Sequence, residues 1–377
     1  MSEPAYPDLA YLDHNATSPL RPAAFETMVE ALRAGGNPSS VHRVGRAARN
    51  LIDTARREVA ALVDALPAEI VFTSGGTEAN NLALVGAGRR RVLASAVEHD
   101  SVLNAARNLE LVPVDGNGIV DLAELQRLLA GGREPALVSV MFANNETGVI
   151  QPIAEIVRIS RAAGALIHCD AVQGAGKVPV DMHGLGVDYL TLSAHKFGGP
   201  TGVGALVVRD GAPFHTDRRG GGQESNRRAG TENVAGIAGF GVAAAEAKGG
   251  LSTVTLRDHL EASLRAIAPR ARVFGAEAPR LPNTVCISMP GVRAETQVMA
   301  LDLAGVAVSA GAACSSGKVS RSAVLSAMGV EVAESETALR ISFGWSTVSQ
   351  DIERLIAAWH DLYIRVTHSD IPKARAA

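Results

Sequence analysis

Short runs rich in Val, Ile and Leu alternate with longer amphipathic segments through the first two-thirds of the chain. The apolar runs, which are typical of buried strands, lie at residues 69–73, 91–94, 136–140, 165–169, 187–192 and 204–208. The segments with helical spacing of apolar residues lie between them, at 78–87, 122–129 and 153–163. Strands that are apolar throughout and separated by helices form mostly parallel sheets. The sequence therefore predicts an α/β fold whose mostly parallel central sheet is covered by helices on both faces.

The pattern changes after a glycine-rich stretch at residues 218–230. Two helical segments follow, at 233–248 and 253–267. Short strands are then predicted at 273–274, 284–288 and 339–343, and further helices at 295–303 and from 350 to about 367. This order predicts a smaller α+β unit. We therefore expect a large domain at residues 15–250 and a small α+β domain formed by residues 1–14 and 251–377.

Composition limits the class of protein. The chain has 377 residues, of which 47% are apolar and 20% are charged, and these values are ordinary for a globular protein. The net charge of −3 is spread over interspersed acidic and basic residues, so no basic surface for nucleic acid is indicated. No apolar run is long enough to span a bilayer, and residues 1–4 do not form a secretory signal. We expect a cytoplasmic protein without a membrane partner.

The cysteines, Cys169, Cys286 and Cys314, are widely spaced and form no Cys-x-x-Cys pair. This spacing argues against a disulfide framework and a structural zinc site. Cys169 and Cys286 lie in predicted strands and are expected to be buried as small apolar side chains. Cys314 lies among small and flexible residues, which suit an exposed, mobile loop, and the nearby Lys318 would favour the reactive thiolate.

Lys196 lies just after the predicted strand 187–192, within the segment Ser-Ala-His-Lys-Phe. An isolated lysine at a strand end usually extends its ammonium group to water. The alternative is an amine in a desolvated pocket that forms a Schiff base with a carbonyl cofactor, above all pyridoxal phosphate (PLP). Such a cofactor also needs a carboxylate for its pyridine nitrogen, donors for its phosphate and a group that stacks on its ring.

Other candidate residues follow predicted strands at their carboxyl ends, where ligands bind in open α/β sheets. Asp170 could cap a helix or keep a pyridine nitrogen protonated, and Gln173 could donate to a phenolic oxygen of the ring. The turn at residues 73–78 could be capped by Thr77, or it could bind an anion through backbone N–H groups. His99 could be an ordinary loop histidine, or it could stack on a flat cofactor and move protons.

Arg340 lies in the apolar run 339–343 and is expected to have a buried anionic partner. A guanidinium group binds a carboxylate through two parallel hydrogen bonds, so a carboxylate ligand would suit it. The segment Asn144-Asn145-Glu146 follows the predicted strand 136–140 and could add an amide donor.

With these motifs the chain closely resembles the cysteine desulfurases, which are PLP enzymes of the class V aminotransferase group. The resemblance implies fold type I, the aspartate-aminotransferase-like fold, and it runs almost from end to end. It rests on segments 11–17, 37–42, 73–81, 98–99, 144–148, 170–173, 193–199, 228–233, 309–316 and 339–344. One position departs from the family pattern, because His14 replaces the first Asn of Leu-Asp-Asn-Asn-Ala-Thr. His14 either shapes this loop or touches the substrate, and in the second case turnover or selectivity would change.

The resemblance implies a role for each candidate. Lys196 would be the Schiff-base lysine that also moves the Cα proton, and the other cofactor-binding residues would be Gly76, Thr77, His99, Asp170, Gln173, Ser193, His195 and Thr231. In the family, the threonine that matches Thr231 reaches the phosphate from the partner subunit, so an obligate homodimer is implied. Asn145 and Arg340 would bind the carboxylate of L-cysteine. Cys314 would take the sulfur as a persulfide and leave L-alanine.

The resemblance also implies a protein acceptor for the sulfur. An iron–sulfur cluster scaffold is favoured, because the loop at about residues 310–322 has the long form found in that branch of the family. No intrinsic metal site is implied, although Cys314 could transiently ligate an iron–sulfur cluster. Three alternatives remain open at this point: another PLP aminotransferase or lyase of the same fold, a selenocysteine lyase, and a catalytically silent scaffold in sulfur trafficking.

Overall fold

The computed structural model describes residues 8–106, 108–310 and 321–369. Its strands are β1 (Ala10–Tyr11), β2 (Ile70–Thr73), β3 (Arg91–Ser95), β4 (Leu109–Val112), β5 (Ala136–Ser139), β6 (Leu166–Asp170), β7 (Tyr189–Ser193), β8 (Gly204–Val208), β9 (Thr284–Ser288), β10 (Val306–Ala307), β11 (Ser309–Ala310) and β12 (Ala338–Ser342). Its helices are α1 (Pro22–Ala34), α2 (Arg43–Leu62), α3 (Gly76–Gly86), α4 (Asp100–Leu103), α5 (Leu122–Gly131), α6 (Ile153–Ala162), α7 (Met182–Leu185), α8 (Val234–Ala247), α9 (Val254–Ile267), α10 (Ala294–Leu303), α11 (Ala323–Ala327), α12 (Val332–Ser335) and α13 (Ser349–Ser369).

The main sheet has seven strands in the order β2-β8-β7-β6-β5-β3-β4. Strands β7, β6, β5, β3 and β4 pair in parallel, whereas β8 is antiparallel to both of its neighbours. Consecutive strand residues pack into different apolar clusters: Val92 and Leu137 belong to one, and Leu93 and Val138 to another. Because neighbouring strand residues point to opposite faces, both faces of the sheet are covered. The predicted α/β fold is confirmed.

All six apolar runs predicted as strands occur in this sheet, with ends that differ by at most two residues. The sequence did not indicate β4, which lies at the edge of the sheet and has partly exposed residues at three of its four positions. An edge strand that is not buried on both faces lacks the continuous apolar run used to recognise the others.

The second sheet is smaller and antiparallel, with the order β11-β12-β9, and the short pair β1 and β10 lies apart from it. A separate apolar cluster packs here, and it includes Leu12, Leu260, Phe343 and Trp359. Helices α9 and α13 pack against each other in this unit. Ala10 and Leu12 of the segment before residue 15 belong to this cluster, and the division of the chain into two domains stays a prediction.

Backbone contacts between the two units fix the position of the segment that follows β1. Asp13 forms a bridge with Ser342 at the end of β12, and Ser18 donates a backbone hydrogen bond of 2.7 Å to the carbonyl of His195. The segment thus extends from the smaller sheet to the carboxyl end of β7. Within the described ranges, no helix has the length and apolar character needed to cross a membrane.

Candidate active site

Lys196 lies in a 3-10 turn, Ala194–Lys196, that directly follows β7. Its Nζ donates to the backbone carbonyls of Asn15 and Ala16, at 2.7 and 2.9 Å. Burial first, and then the positive charge of Arg340, lower the pKa of this amine to about 8. The side chain therefore lies inside the protein, and its amine loses a proton far more readily than an exposed lysine does.

Asp170 ends β6, the strand beside β7. Its Oδ2 accepts a hydrogen bond of 2.8 Å from Asn80, and its Oδ1 accepts one of 3.0 Å from the backbone N–H of Val172. Asn80 also donates to the hydroxyl of Ser101 at 2.8 Å. The carboxylate is thus held in one orientation from two sides. Sequence reasoning missed Asn80, although it lies in the matching segment 73–81.

His99 is linked to the same network through Ser101. The Nδ1 atom of His99 accepts from the backbone N–H of Ser101 at 3.1 Å and lies 2.8 Å from its hydroxyl oxygen. Since Nδ1 accepts a hydrogen bond, the ring proton belongs on Nε2. His99 is also the N-cap of α4, and the residue is exposed in the single chain. Its ring is therefore fixed at one edge and accessible to a ligand.

The turn after β2 leads into α3 without a side-chain cap. The helix begins at Gly76 and its N-cap is Gly75, so Thr77 is not the capping residue but lies in the first turn. Gly75 has φ of +152°, a conformation that residues with side chains rarely adopt. Backbone N–H groups at an uncapped helix start, together with the helix dipole, favour an anion. A phosphate fits this position on chemical grounds.

Gly76 brings this turn close to the ends of β6 and β7. A Cβ atom at Gly76 would lie 3.1 Å from Cγ2 of Val172 and 3.6 Å from Cβ of Ser193. The three segments therefore meet at the carboxyl edge of the sheet. The close contact leaves little room for a side chain at position 76.

His195 and Thr231 occupy different environments. Nδ1 of His195 lies 3.1 Å from the hydroxyl of Thr17, and burial together with Lys196 lowers its pKa to about 4. The imidazole is therefore neutral at neutral pH and interacts through hydrogen bonds. Thr231 is exposed, whereas Arg228 of the same stretch forms an ion pair of 2.9 Å with Glu78 in the first turn of α3.

Arg340 is buried in β12 and has the anionic partner that its position predicted. Its Nη2 donates to Oδ1 of Asp13 at 2.7 Å, and its Nη1 donates to the backbone carbonyl of Asn145 at 3.3 Å. Its Nε is buried and has no partner among the described residues. Asp13 also accepts a hydrogen bond from Ser309 at 2.8 Å. Sequence reasoning did not identify Asp13, because its partner lies more than three hundred residues away.

Asn15 connects residues from both sheets, and it too was missed. Its backbone carbonyl accepts from Lys196 and from Nε2 of Gln173, at 2.7 and 2.9 Å. Its side-chain Nδ2 donates to the carbonyl of Asn145 at 3.1 Å and to the hydroxyl of Thr284 at 2.9 Å. The signal available in the sequence was its place inside the segment 11–17.

Lys177 is a further residue that sequence reasoning missed. It is 3% exposed, and its Nζ donates to Oε1 of Gln173 and, at 2.7 Å, to Oδ1 of Asn15. Burial lowers its pKa well below the ordinary lysine value, and the charges of Lys196 and Arg340 lower it further. Its partners within the described part of the chain are amide oxygens and not carboxylates. Burial of a lysine in such surroundings is costly, so its presence beside the site requires an explanation.

His14, the departure from the family pattern, packs inside the loop. Its Nδ1 lies 2.6 Å from the hydroxyl of Ser18, and its ring makes an edge contact with Tyr11. A Cβ atom at Gly344 would lie 1.8 Å from the same Nδ1, so the ring fills the space above this glycine. Burial lowers the pKa of His14 to about 3. These contacts favour the interpretation that His14 shapes the loop.

Cys314 lies outside the described residues. Cys169 and Cys286 are fully buried, and burial raises the pKa of both thiols. Neither is a reactive thiol in this environment. Among the described residues, no group of three or more His, Cys, Asp or Glu side chains could hold a metal ion.

The fold and the residues at the strand ends define a PLP enzyme of fold type I, and the comparisons agree. The family model described as "Aminotransferase class-V" matches residues 10–355. A cysteine desulfurase of Cereibacter sphaeroides is 45% identical over 92% of this chain and 93% of its own length. A cysteine desulfurase IscS of Dictyoglomus turgidum is 41% identical over 91% of each chain. The solved structure of a NifS-like protein from Rickettsia africae has a TM-score of 0.87 and 37% identity, covering 94% of this chain and 99% of its own. The chain belongs to the class V aminotransferase family and, within it, to the cysteine desulfurases.

Proposed function

We propose that the protein is a cysteine desulfurase, which uses PLP to remove the sulfur of L-cysteine and releases L-alanine. The observation that carries the proposal is the meeting of the Lys196 amine, the Asp170 carboxylate and the uncapped start of α3 at one edge of the sheet. An amine with a pKa of about 8, an oriented carboxylate and an anion site are the parts that PLP requires.

The described residues fit PLP when each part of the cofactor is assigned in turn. The phosphate would be bound by the first turn of α3, with Gly76, Thr77, Ser193 and His195 around it and Thr231 supplied by the partner subunit. The pyridine nitrogen would pair with Asp170, the ring would stack on His99, and Gln173 would donate to the phenolic oxygen. Lys196 would form the covalent attachment. Gly76 supports this assignment, since a Cβ there would enter the space between Val172 and Ser193.

Bound PLP supplies a ring that accepts electrons and stabilises negative charge at the substrate Cα. The chain's residues perform the remaining steps. Lys196 takes and returns the Cα proton, because its lowered pKa leaves a useful fraction of free amine near neutral pH. Arg340 and Asn145 bind the substrate carboxylate, and Asp13 holds the guanidinium group in place at 2.7 Å. Asn80 and the N–H of Val172 keep the Asp170 carboxylate oriented.

Cys314 acts as the nucleophile in the sulfur transfer. Its thiolate forms an S–S bond with the substrate sulfur while the C–S bond breaks, so Cys314 becomes a persulfide. The electron pair of the C–S bond stays with carbon, which gains a proton and leaves as alanine. The burial of Cys169 and Cys286 supports this choice of cysteine.

We further propose a cytoplasmic homodimer that passes its sulfur to an iron–sulfur cluster scaffold. The exposure of Thr231 in the single chain supports the dimer, because such a side chain is free to reach a partner subunit. The long loop at about residues 310–322 supports the scaffold as acceptor. Transfer of labelled sulfur to a purified scaffold, compared with transfer to a tRNA-thiolating enzyme, tests the acceptor directly.

The reaction is tested by incubating PLP-loaded protein with L-cysteine and measuring alanine and sulfide in the presence of a reductant. We expect alanine from the wild type and a loss of at least about a hundredfold in Cys314→Ser, since removal of a nucleophile abolishes covalent catalysis. An undiminished rate in Cys314→Ser would contradict the mechanism and favour another PLP lyase. A strong preference for selenocysteine would favour a selenocysteine lyase, and a protein that cannot bind PLP would favour a silent scaffold.

A further inference from the structure

Lys177 lies in the turn that follows β6, seven residues after Asp170. Its buried amine contacts two side-chain amides, and in both cases it meets the carbonyl oxygen: Oε1 of Gln173 and Oδ1 of Asn15. A lysine amine has three N–H groups when protonated and two when neutral, so in either state it can donate to both of these acceptors.

These contacts determine which way each amide points. Because its Oε1 accepts from Lys177, Gln173 directs its NH2 group to the carbonyl of Asn15, at 2.9 Å. With its oxygen on Lys177, Asn15 directs its NH2 group to the carbonyl of Asn145 at 3.1 Å and to Thr284 at 2.9 Å. If either amide rotated by half a turn, an N–H group of the lysine would lose its acceptor, and the carbonyl that the amide contacts on its other side would lose its donor.

One amide is proposed to contact PLP directly, and the other contacts a residue that is proposed to bind the substrate carboxylate. Gln173 is the residue proposed to donate to the phenolic oxygen of PLP, and it can do so only through its NH2 group. Asn15 holds the carbonyl of Asn145, which also accepts from Arg340 at 3.3 Å. An amide in the wrong orientation would therefore present an acceptor where the cofactor needs a donor.

We propose that Lys177 is a positioning residue: it fixes the amide orientations of Gln173 and Asn15 and so secures the hydrogen bond that Gln173 gives to the phenolic oxygen of PLP. The inference rests on the proposed function, because it assumes that PLP binds at Lys196. Among the described residues, the charges of Lys196 and Arg340 act on Lys177, and Lys177 in turn lowers the pKa of His14. All are cationic or neutral, so Lys177 is not held in place by a counter-ion among them.

The test compares Lys177→Met, Gln173→Leu and the double variant, all loaded with PLP. The readouts are the pH midpoint of the cofactor's visible absorbance and the dissociation constant for PLP. We expect each single variant to move the midpoint in the same direction by about one pH unit, the size expected when a hydrogen bond to a charged group is lost. Because Lys177 acts through Gln173, the double variant should move it no further than Gln173→Leu alone.

Two further variants keep the inference testable if Lys177→Met weakens the fold. Lys177→Gln retains a side-chain NH2 donor group and should return the midpoint part of the way towards the wild type. Lys248→Met makes the same chemical change at an exposed lysine on the neighbouring helix end and should behave as the wild type. Thermal unfolding of each variant without PLP separates a folding defect from a change at the cofactor.

The outcomes distinguish this inference from the proposed function. If the wild type binds no PLP, the proposed function itself fails. If the wild type binds PLP but Lys177→Met has the midpoint and affinity of Lys248→Met, the positioning role is wrong. Additive shifts in the double variant would also overturn it, because they would mean that Lys177 acts independently of Gln173.

Discussion

At the scale of single residues, the site contains two lysines whose pKa values are lowered first by burial and then by nearby positive charge. Lys177 and Lys196 both have lowered pKa values, and Arg340 contributes to both shifts. Asp13 and Asp170 supply the opposing charges. Such a cluster is costly in the free protein and attracts anionic ligands, which PLP phosphate and a substrate carboxylate would provide.

Arg340→Lys should raise the KM for L-cysteine by about tenfold with little change in kcat. A lysine keeps the charge but loses the planar pair of donors that bind a carboxylate, and one charge-assisted hydrogen bond corresponds to roughly that factor. Steady-state kinetics measures the effect, and Arg272→Lys on an exposed position serves as the control. An unchanged KM with a reduced kcat would show that Arg340 does not bind the substrate carboxylate.

Glu98→Gln should flatten the pH dependence of stability. Burial raises the pKa of Glu98 from 4.5 to about 8, so the native state keeps a proton that the unfolded state releases over this interval. Stability therefore falls as the pH rises from about 4.5 to about 8, and a glutamine, which does not titrate, removes that part of the fall.

Urea unfolding of the Glu98→Gln variant at several pH values across this interval measures the slope. Glu277→Gln, at an exposed position, is the matched control and should keep the wild-type slope. A residual slope is expected because burial also raises the pKa of Glu146, to about 7. If Glu98→Gln and wild type had equal slopes, Glu98 would not be protonated in the native state.

At the scale of elements, the sequence predicted the strands whose ends form the site, because those strands are buried on both faces. Lys196, Asp170 and the turn after β2 were predicted as site residues in this way. Asn15, Asp13 and Lys177 were missed, since each acts through a partner that is distant in sequence or through an amide orientation. Periodicity and strand position carry no information on such contacts. A polar residue in a loop also has an ordinary local interpretation, so the sequence does not single it out as a functional residue.

Gly75→Ala should weaken PLP binding and reduce stability by roughly 1–3 kcal/mol, the usual cost of forcing a residue with a side chain into a disallowed backbone region. The physical reason is the φ of +152° at the N-cap of α3, which orients the first N–H groups of the helix. Chemical unfolding and PLP titration measure the two effects.

Gly131→Ala is the matched control, because a Cβ there meets no atom within 4 Å and its φ is not positive. That variant should be neutral or slightly stabilising. If Gly75→Ala bound PLP as tightly as Gly131→Ala, the start of α3 would not be the phosphate site.

At the scale of the whole molecule, the site lies where the segment after β1 joins two apolar clusters. Leu12 packs in the cluster of the smaller sheet, while three residues later Asn15 contacts Lys196 beside the main sheet. The sequence predicted two units but could not show that residues 13–16 connect them at the site. Sequence pattern and spacing alone left several possible roles for each candidate residue. The family resemblance supplied one role for each.

The protein should sediment as a dimer of twice its 39.1 kDa mass. We expect PLP to be released when the dimer is diluted to monomers, because Thr231 is proposed to complete the phosphate site of the partner subunit. Analytical ultracentrifugation at several concentrations, with absorbance of bound PLP as a second signal, tests both points. A monomer that retains PLP at all concentrations would contradict the shared site.

The most direct test of the central claim is to find where the sulfur goes. PLP-loaded protein is treated briefly with L-cysteine, persulfides are trapped by alkylation, and the peptides are identified by mass spectrometry. We predict a trapped persulfide on the peptide that contains Cys314, formed together with alanine, and none on Cys169 or Cys286, whose thiols are buried. Alanine formed without a persulfide on Cys314, or with the persulfide on either buried cysteine, would contradict the account.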